Sequence, residues 1–395
     1  MKITQAPLLE RFGRRIRLGM VGGGLDSVIG DTHRVALRVD GLCELVSGAM
    51  SIDPEVAHAT GRADLLDLER IHVDYRAMAA AEAERGDPID AVIVATPPPT
   101  HLSVAAEFLS HGIDVICEKP LTKTLAEADR LVHVLGTSGR LLVLTHCYTA
   151  YPMIREARAL LRTGLLGPIR LVDAQFAGGD PGVAREPEDP AQRHWRFRPD
   201  TMGKSGILAE VGSHAHNIVS YVTGLAVTSV SAQMDTIATG RDVFDNAYLN
   251  VKFDSGAVGR IWSSYVAIGN EHGLAFHIIG DNASLAWSQE DPERLRVAPI
   301  DAPAYSITRG MSGTSIDGLE SARFRPGHPE GYALAFANLY RDYAMARMLT
   351  DLGEQQQAQA VLQRLPTAQD GRHVMSLIEA ATSSADTNGD WTKLR

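Results

Sequence analysis

In the stretch Glu210-Val-Gly-Ser-His214 a carboxylate and an imidazole stand four residues apart. On a helix that spacing puts both on one face. A carboxylate beside an imidazole raises its basicity and fixes which way the ring points. A third ionisable group, Lys119, lies in Glu118-Lys119-Pro120, directly after the apolar run Asp114-Val-Ile-Cys117. The proline keeps Lys119 extended and stops the run, so the ammonium belongs at the run's carboxyl end. An imidazole that takes a hydroxyl proton and a cation that steadies the resulting alkoxide would suit chemistry at an alcohol. Taken singly, each has a plainer reading: Lys119 as a solvated loop lysine, His214 as a structural histidine.

A glycine loop points to a partner for that chemistry. The run Arg17–Val21 leads into Gly22-Gly23-Gly24-Leu25-Asp26-Ser27-Val28-Ile29-Gly30. Gly22 and Gly24 form a G-x-G, and Gly30 follows later than the usual third glycine. After a strand and before a helix, such a loop lets backbone N–H groups and a helix N-terminus face a pyrophosphate. Gly22, Gly24, Leu25, Asp26 and Gly30 are therefore candidate cofactor contacts. The second strand ends Ala49-Met-Ser51-Ile-Asp53-Pro54. Ser51 stands where an acid for the ribose 2′-hydroxyl is expected, and no arginine is adjacent to clamp a 2′-phosphate. NAD is the expected cofactor and NADP stays open. Ala95-Thr96-Pro97-Pro98-Pro99-Thr100-His101 follows the next strand, a proline-stiffened loop where ligands bind in this architecture. Thr96, Pro97, His101, Glu118 and Lys119 join the cofactor set.

The elements that carry these residues can be read from the pattern. Up to about residue 150, apolar runs at 17–21, 44–50, 91–95, 114–117 and 141–144 alternate with helical patterns at 54–60, 75–84, 101–111 and 124–135. That alternation means βαβ units and a doubly wound parallel sheet. Beyond it, a helix at 153–163 precedes strand-like stretches at 169–176, 228–237, 247–253, 257–266, 274–279 and 284–287. Short polar turns join several of them, so this half is α+β on a large, mostly antiparallel sheet. Helices are expected at 330–349 and 368–381. The predicted domains are 1–150, binding the dinucleotide, and 151–395, binding substrate and mediating assembly, with the C-terminal helices packing back on the first domain. The stretch 353–360, GEQQQAQA, reads only as a short low-complexity tract.

Composition narrows the class. The chain has 395 residues, 45% hydrophobic and 22% charged, which suits a folded two-domain protein rather than a disordered one. Lys and Arg number 38 against 48 Asp and Glu, a net charge of −10, with no basic stripe for nucleic acid. Cys43, Cys117 and Cys147 are too few and too dispersed for a disulfide frame or zinc site and read as buried thiols in a reducing, cytoplasmic setting. No apolar run suits a signal peptide or a membrane span. His216 points away from His214 on a helix, and no metal-binding motif occurs.

The combination of Gly22-x-Gly24, the Ala-Thr-Pro-x-x-x-His stretch at 95–101, Glu118-Lys119-Pro120 and Glu210-Val-Gly-Ser-His214 resembles the Gfo/Idh/MocA family of oxidoreductases, over nearly the whole chain. Gly19–Gly24, Thr145-His-Cys-Tyr148, Trp195-Arg196, Gly269-Asn-Glu271 and Gly327–Tyr332 are similar to a clade containing levoglucosan and L-glucose dehydrogenases. The resemblance implies a Rossmann domain, an α/β domain whose open sheet often mediates homodimers or homotetramers, and reversible hydride transfer between a nicotinamide and a secondary carbinol. It puts the family's lysine, aspartate and histidine roles on Lys119, Glu210 and His214. Glu210 replaces the usual aspartate, and Asn217 another.

The expected activity is an NAD(P)-dependent dehydrogenase acting on a secondary hydroxyl of a sugar, anhydrosugar or inositol. His214 would be the base, Lys119 would bind the same oxygen and Glu210 would position one of them; the roles of His214 and Lys119 are interchangeable on this reading. Tyr148, Trp195, Arg196, Asn270 and His328 are substrate-pocket candidates, offering hydrogen bonds and aromatic platforms to a polyol. Two alternatives stand beside it: a non-catalytic cofactor-sensing regulator of the same fold, and a redox-neutral enzyme that passes a glycoside through a keto sugar.

Overall fold

The apolar runs of the first 150 residues become five parallel strands in the computed structural model, which describes residues 6–25, 27–187, 189, 192 and 194–395. A short helix α1 (Ala6–Phe12) precedes β1 (Ile16–Gly22), α2 (Val28–Arg38), β2 (Cys43–Ala49), α3 (Pro54–Ala63), α4 (Tyr75–Glu84) and β3 (Ala91–Ala95). Then come α5 (His101–Ser110), β4 (Asp114–Cys117), α6 (Leu125–Ser138) and β5 (Leu142–Leu144). The strand order is β2-β1-β3-β4-β5. A single parallel bridge, Gly48 to Ile71, extends it beyond β2 and stands where a third strand of a doubly wound sheet would lie. Every residue of β3 is buried, as expected of a central strand covered on both faces. The order reverses between β1 and β3, so the loops leaving their carboxyl ends flank one crevice, where such sheets bind ligands. These loops are Gly22–Ser27 and Thr96–Thr100.

Two compact units divide the chain: Met1–Ala150 with Tyr332–Arg372, and Tyr151–Gly331 with His373–Arg395. The first therefore includes the helices Tyr332–Asp351 and Gln355–Leu362. The latter forms within the glutamine-rich stretch. Composition hid it, but Ala358 and Val361, three apart, give it a buried stripe.

The second unit starts with α7 (Pro152–Arg162) and holds a nine-stranded sheet. Its strands are β6 (Ile169–Ala177), β7 (Val227–Asp235), β8 (Asn246–Phe253), β9 (Val258–Ser264), β10 (Leu274–Gly280), β11 (Ala283–Ser288), β12 (Arg294–Pro299), β13 (Tyr305–Thr308) and β14 (Thr392–Lys393). The order is β13-β12-β11-β10-β6-β9-β8-β7-β14. Neighbours run antiparallel except β6 and β9. Burial alternates along β8, the period-2 signature of a sheet with one covered face. β12 to β14 escape the hydrophobic pattern because β12 alternates with arginine, β13 is short and exposed, and β14 is only two residues long.

Among the described residues, no helix is long and apolar enough to cross a membrane, and no cluster of three or more His, Cys, Asp or Glu could hold a metal ion. All three cysteines are buried and unpaired.

Candidate functional site

The glycine loop begins where β1 ends. Its backbone turns through left-handed conformations at Gly22 (φ 77°) and Gly23 (φ 64°). A Cβ at Gly22 would lie 2.6 Å from the Ala95 carbonyl oxygen, and one at Gly24 2.8 Å from that of Met50. The loop is therefore wedged between the ends of β3 and β2, where side chains do not fit. Ser27 caps α2 by accepting the Gly30 N–H at 3.2 Å. Gly30 lies in the first turn of α2, where a Cβ would stand 2.3 Å from the Gly23 carbonyl oxygen. Its role is to let the helix close on the loop, the packing role of a third glycine reached from a later position. A turn of three glycines leading to a capped helix N-terminus suits a dinucleotide pyrophosphate. Leu25 is exposed and its N–H donates to Thr60 Oγ1 at 3.1 Å. Asp26 lies outside the described residues.

At the end of β2, the Ser51 hydroxyl accepts the Asp53 N–H at 3.1 Å. Asp53 caps α3, accepting the N–H of Glu55 at 2.9 Å and that of Val56 at 3.4 Å. Although no arginine is adjacent in sequence, the fold brings Arg34 to within 3.4 Å of Met50 Sδ, paired with Asp64 at 2.6 Å. After β3, Thr96 is half-buried and its hydroxyl accepts from Thr100 at 2.7 Å; Pro97 is exposed.

His101, expected among the cofactor contacts, is placed differently. It is fully buried, with Nδ1 2.8 Å from the Pro120 carbonyl oxygen and Nε2 2.8 Å from that of Thr96. Both ring nitrogens face the protein's own backbone, and the single N–H of the neutral ring donates to one of the two carbonyls. The ring ties the loop after β3 to the one after β4, and burial holds its pKa below the ordinary histidine value against the pull of those two carbonyls.

Lys119 stands half-buried just beyond β4, before a cis Pro120. Glu118 is buried: Oε1 accepts the Thr145 hydroxyl and Oε2 accepts the Lys119 N–H at 3.2 Å. Burial pushes the Glu118 carboxyl up, but His33, Thr145 and Lys119 outweigh it and hold it below the usual carboxylate range. His146 follows β5 and is buried; burial, then the Lys119 charge, push its pKa down to about 3. Tyr148 is buried one turn on, its ring 6.1 Å from that of Tyr332.

In the second unit, Glu210 lies in a π-helical turn, Leu208–Gly212, that runs into the helix Ser213–Thr223 carrying His214. Such turns are frequent at functional sites. A Cβ at Gly212 would meet Ser263 Oγ at 2.9 Å, so the glycine in Glu-x-Gly-x-His lets the turn close on β9. His214 is buried and Glu210 partly so. Glu210 Oε1 pairs with Arg196 Nε at 3.2 Å, and the Arg196 guanidinium carbon lies 5.3 Å from the Trp195 ring centroid. Buried Tyr265 shares this neighbourhood, its hydroxyl pKa raised well above the ordinary value by burial and then by the Glu210 charge. The Phe176 ring lies 5.9 Å from His214 and 4.4 Å from His272. Glu210, Arg196 and Trp195 are thus brought together. The Asn270 amide donates to the Ala177 carbonyl at 2.9 Å, and His328 is exposed, its backbone carbonyl accepting from Arg309 at 2.7 Å.

Sequence reasoning passed over His33, His146, Phe176, Tyr265 and His272. His146 and His272 stand beside residues already singled out, Thr145 and Glu271, so their signal was present. His33, Phe176 and Tyr265 look like core positions until their neighbours are known.

A backbone-lined loop at a sheet's switch point, followed by a Glu-Lys-Pro strand end, defines a dinucleotide-binding oxidoreductase architecture. Residues 16–146 match the oxidoreductase family with an NAD-binding Rossmann fold, and residues 154–286 match the GFO/IDH/MocA C-terminal domain. The uncharacterized oxidoreductase YfiI of Bacillus subtilis is 31% identical over 344 residues, 85% of this chain and 86% of that protein. Levoglucosan dehydrogenase of Pseudarthrobacter phenanthrenivorans is 24% identical, covering 81% of this chain and 83% of its own. The crystal structure of an inositol dehydrogenase homolog from Azotobacter vinelandii complexed with NAD+ superposes with a TM-score of 0.88 at 35% identity, covering 96% of this chain and 97% of its own. The chain belongs to the Gfo/Idh/MocA family and is an NAD-binding oxidoreductase.

Proposed function

We propose that the protein oxidises a secondary hydroxyl of a sugar, anhydrosugar or inositol, with Lys119, His214 and Glu210 as its catalytic set. The single observation that supports this best is the junction in the second unit. A carboxylate and an imidazole share a π-to-α transition, and an aromatic ring, Phe176, packs beside the imidazole. The relatives agree in kind: one is a levoglucosan dehydrogenase, and another, from Acidothermus cellulolyticus, an inositol 2-dehydrogenase.

When bound, NAD supplies the hydride acceptor. The remaining work falls to the chain. His214 takes the hydroxyl proton, so that the oxygen's electron pair forms the carbonyl as the carbon's hydride departs. Lys119 hydrogen-bonds the same oxygen and steadies its negative charge. Glu210 orients one of these two. Trp195 and Arg196 face the polyol, as do Tyr148, Asn270 and His328 in this reading. Gly22, Gly24, Leu25, Asp26, Ser51, Thr96 and Pro97 line the dinucleotide. The first unit serves as the cofactor domain and the second as the substrate domain. The three unpaired thiols favour a reducing, cytoplasmic setting. The outer face of the nine-stranded sheet, with exposed Leu171, Tyr248 and Val258, favours a homodimer or homotetramer.

The test mixes the pure protein with NAD, then NADP, and follows reduced-nicotinamide absorbance across levoglucosan, L- and D-glucose, myo- and scyllo-inositol and simple glycosides. Turnover of one ring alcohol is the expected result. Tight NADH binding without turnover of any of them would refute it and favour a regulator or a redox-neutral keto-sugar cycle.

A further inference from the structure

The first unit contains a buried polar chain that the proposed chemistry does not use. Tyr340, on the helix Tyr332–Asp351, places its hydroxyl 2.5 Å from Nδ1 of His33 on α2. The other ring nitrogen of His33, Nε2, lies 3.3 Å from Glu118 Oε1, within reach of its charge though not aligned on it as a hydrogen bond. Glu118 in turn accepts the Lys119 N–H. Exposure is 0% for His33, 2% for Tyr340 and 7% for Glu118. An ionised carboxylate only accepts, so the His33 proton belongs on Nε2, and Nδ1 is left to accept from the Tyr340 hydroxyl. The Phe336 ring, edge-on at 5.0 Å, packs against the imidazole.

We infer that His33 and Tyr340 are positioning residues for Lys119, acting through the carboxylate of Glu118. The inference rests on the role proposed above for Lys119. A carboxylate buried this deeply is driven toward its neutral form, yet Glu118 accepts at both oxygens. Protonation would turn one oxygen into a donor and weaken the charge-assisted hold on the Lys119 N–H. On the other flank of Lys119, His101 approaches the Pro120 carbonyl. The main chain is therefore held at the Lys119 N–H and again at Pro120, and the lysine side chain starts from a fixed point. Because α2 begins at the glycine loop, one helix sets both the loop and, through His33, the lysine.

The titratable groups that face Glu118 are His33 from α2, Lys119 and Cys117 beside it, His101 at the start of α5, His146 and Cys147 after β5, and Tyr340. Burial favours the uncharged forms of the two cysteines, Tyr340, His101 and His146. With His33 removed, Thr145 and Lys119 remain to keep Glu118 ionised, and its pKa rises.

The test compares His33→Leu, His33→Gln and Tyr340→Phe in the full chain. His33→Leu should lower kcat by roughly 10- to 100-fold at the acid end of the pH profile, while KM for NAD moves less than about threefold. The deficit should shrink as pH rises and Glu118 re-ionises. Gln, which can place an N–H near the Nε2 position, should restore most of the rate, and Tyr340→Phe should show a smaller fall in the same direction. Hydrogen exchange at the Lys119 amide, read by NMR, should quicken in His33→Leu. Folded His33→Leu with the parent pH profile and unchanged Lys119 exchange would overturn the inference. If the parent protein turns over no alcohol, the functional reading fails, and Lys119 exchange alone still decides: faster supports the positioning, unchanged overturns it. Should His33→Leu not fold, Tyr340→Phe carries both readouts.

Discussion

Glu210 Oε1 stands 3.2 Å from Arg196 Nε. The aspartate that the family resemblance implies at this position is one methylene shorter than Glu210, too short to keep this contact from the same backbone. Glu210→Asp should therefore break the pair. Because Arg196 is 39% exposed, the ion pair itself contributes only about 0.2–1 kcal/mol. A double-mutant cycle with Arg196→Ala, read by urea unfolding, should return a coupling in that range. On the proposed chemistry, Glu210→Asp should also change kcat more than KM. A larger effect on KM for the sugar would mean that the carboxylate binds substrate rather than orienting a catalytic group.

Lys119→Ala and His214→Ala should each lower kcat by about 10²–10⁴-fold, the usual contribution of a group that moves or holds a proton at the reacting oxygen. Far-ultraviolet circular dichroism and NADH affinity should stay near the parent values. Full turnover in either variant would remove that residue from the catalytic set.

Gly30→Ala tests the late glycine. Its Cβ would fall 2.3 Å from a backbone oxygen, Gly23 O, so the helix must move away from the loop. A cost of about 1–3 kcal/mol in stability is expected, as for other overpacked positions. NADH affinity, measured by fluorescence titration, should fall with it. An affinity unchanged in the folded variant would show that α2 does not set the loop.

His146 gives a pH dependence whose sign follows from its burial. The unfolded chain protonates this ring near the ordinary value of 6.5, the folded chain only at about 3. Between those values the unfolded state holds more protons, so stability falls as pH falls. The slope from one such group is at most about 1.4 kcal/mol per pH unit. Urea midpoints measured from neutral to acid pH should decline less steeply in His146→Gln. Equal slopes would mean that His146 is not buried in its neutral form.

The candidate cofactor unit is largely legible in the amino-acid sequence. β3 and β4 coincide residue for residue with the apolar runs 91–95 and 114–117, and Lys119 falls at the edge where the Glu-Lys-Pro pattern puts it. A fully buried parallel strand is a continuous apolar run, and glycine and proline punctuate its ends, so local sequence carries the information. Local pattern fails where an element draws its support from elsewhere. The helix Gln355–Leu362 hides in a glutamine tract, and β14 is two residues that become a strand only by pairing with β7.

The site divides in the same way. Residue type and spacing alone determined the glycine turn, the lysine at a strand end and the four-residue step from Glu210 to His214. Each depends on neighbours in the chain. Only the tertiary structure decided that His101 braces two loops, that Arg196 reaches Glu210, and that Tyr340 meets His33 across a separation of 307 residues. Those facts turn on which buried polar atoms find partners. A buried donor or acceptor is satisfied by whatever group the fold brings within about 3 Å, and no periodicity along the chain records which group that will be.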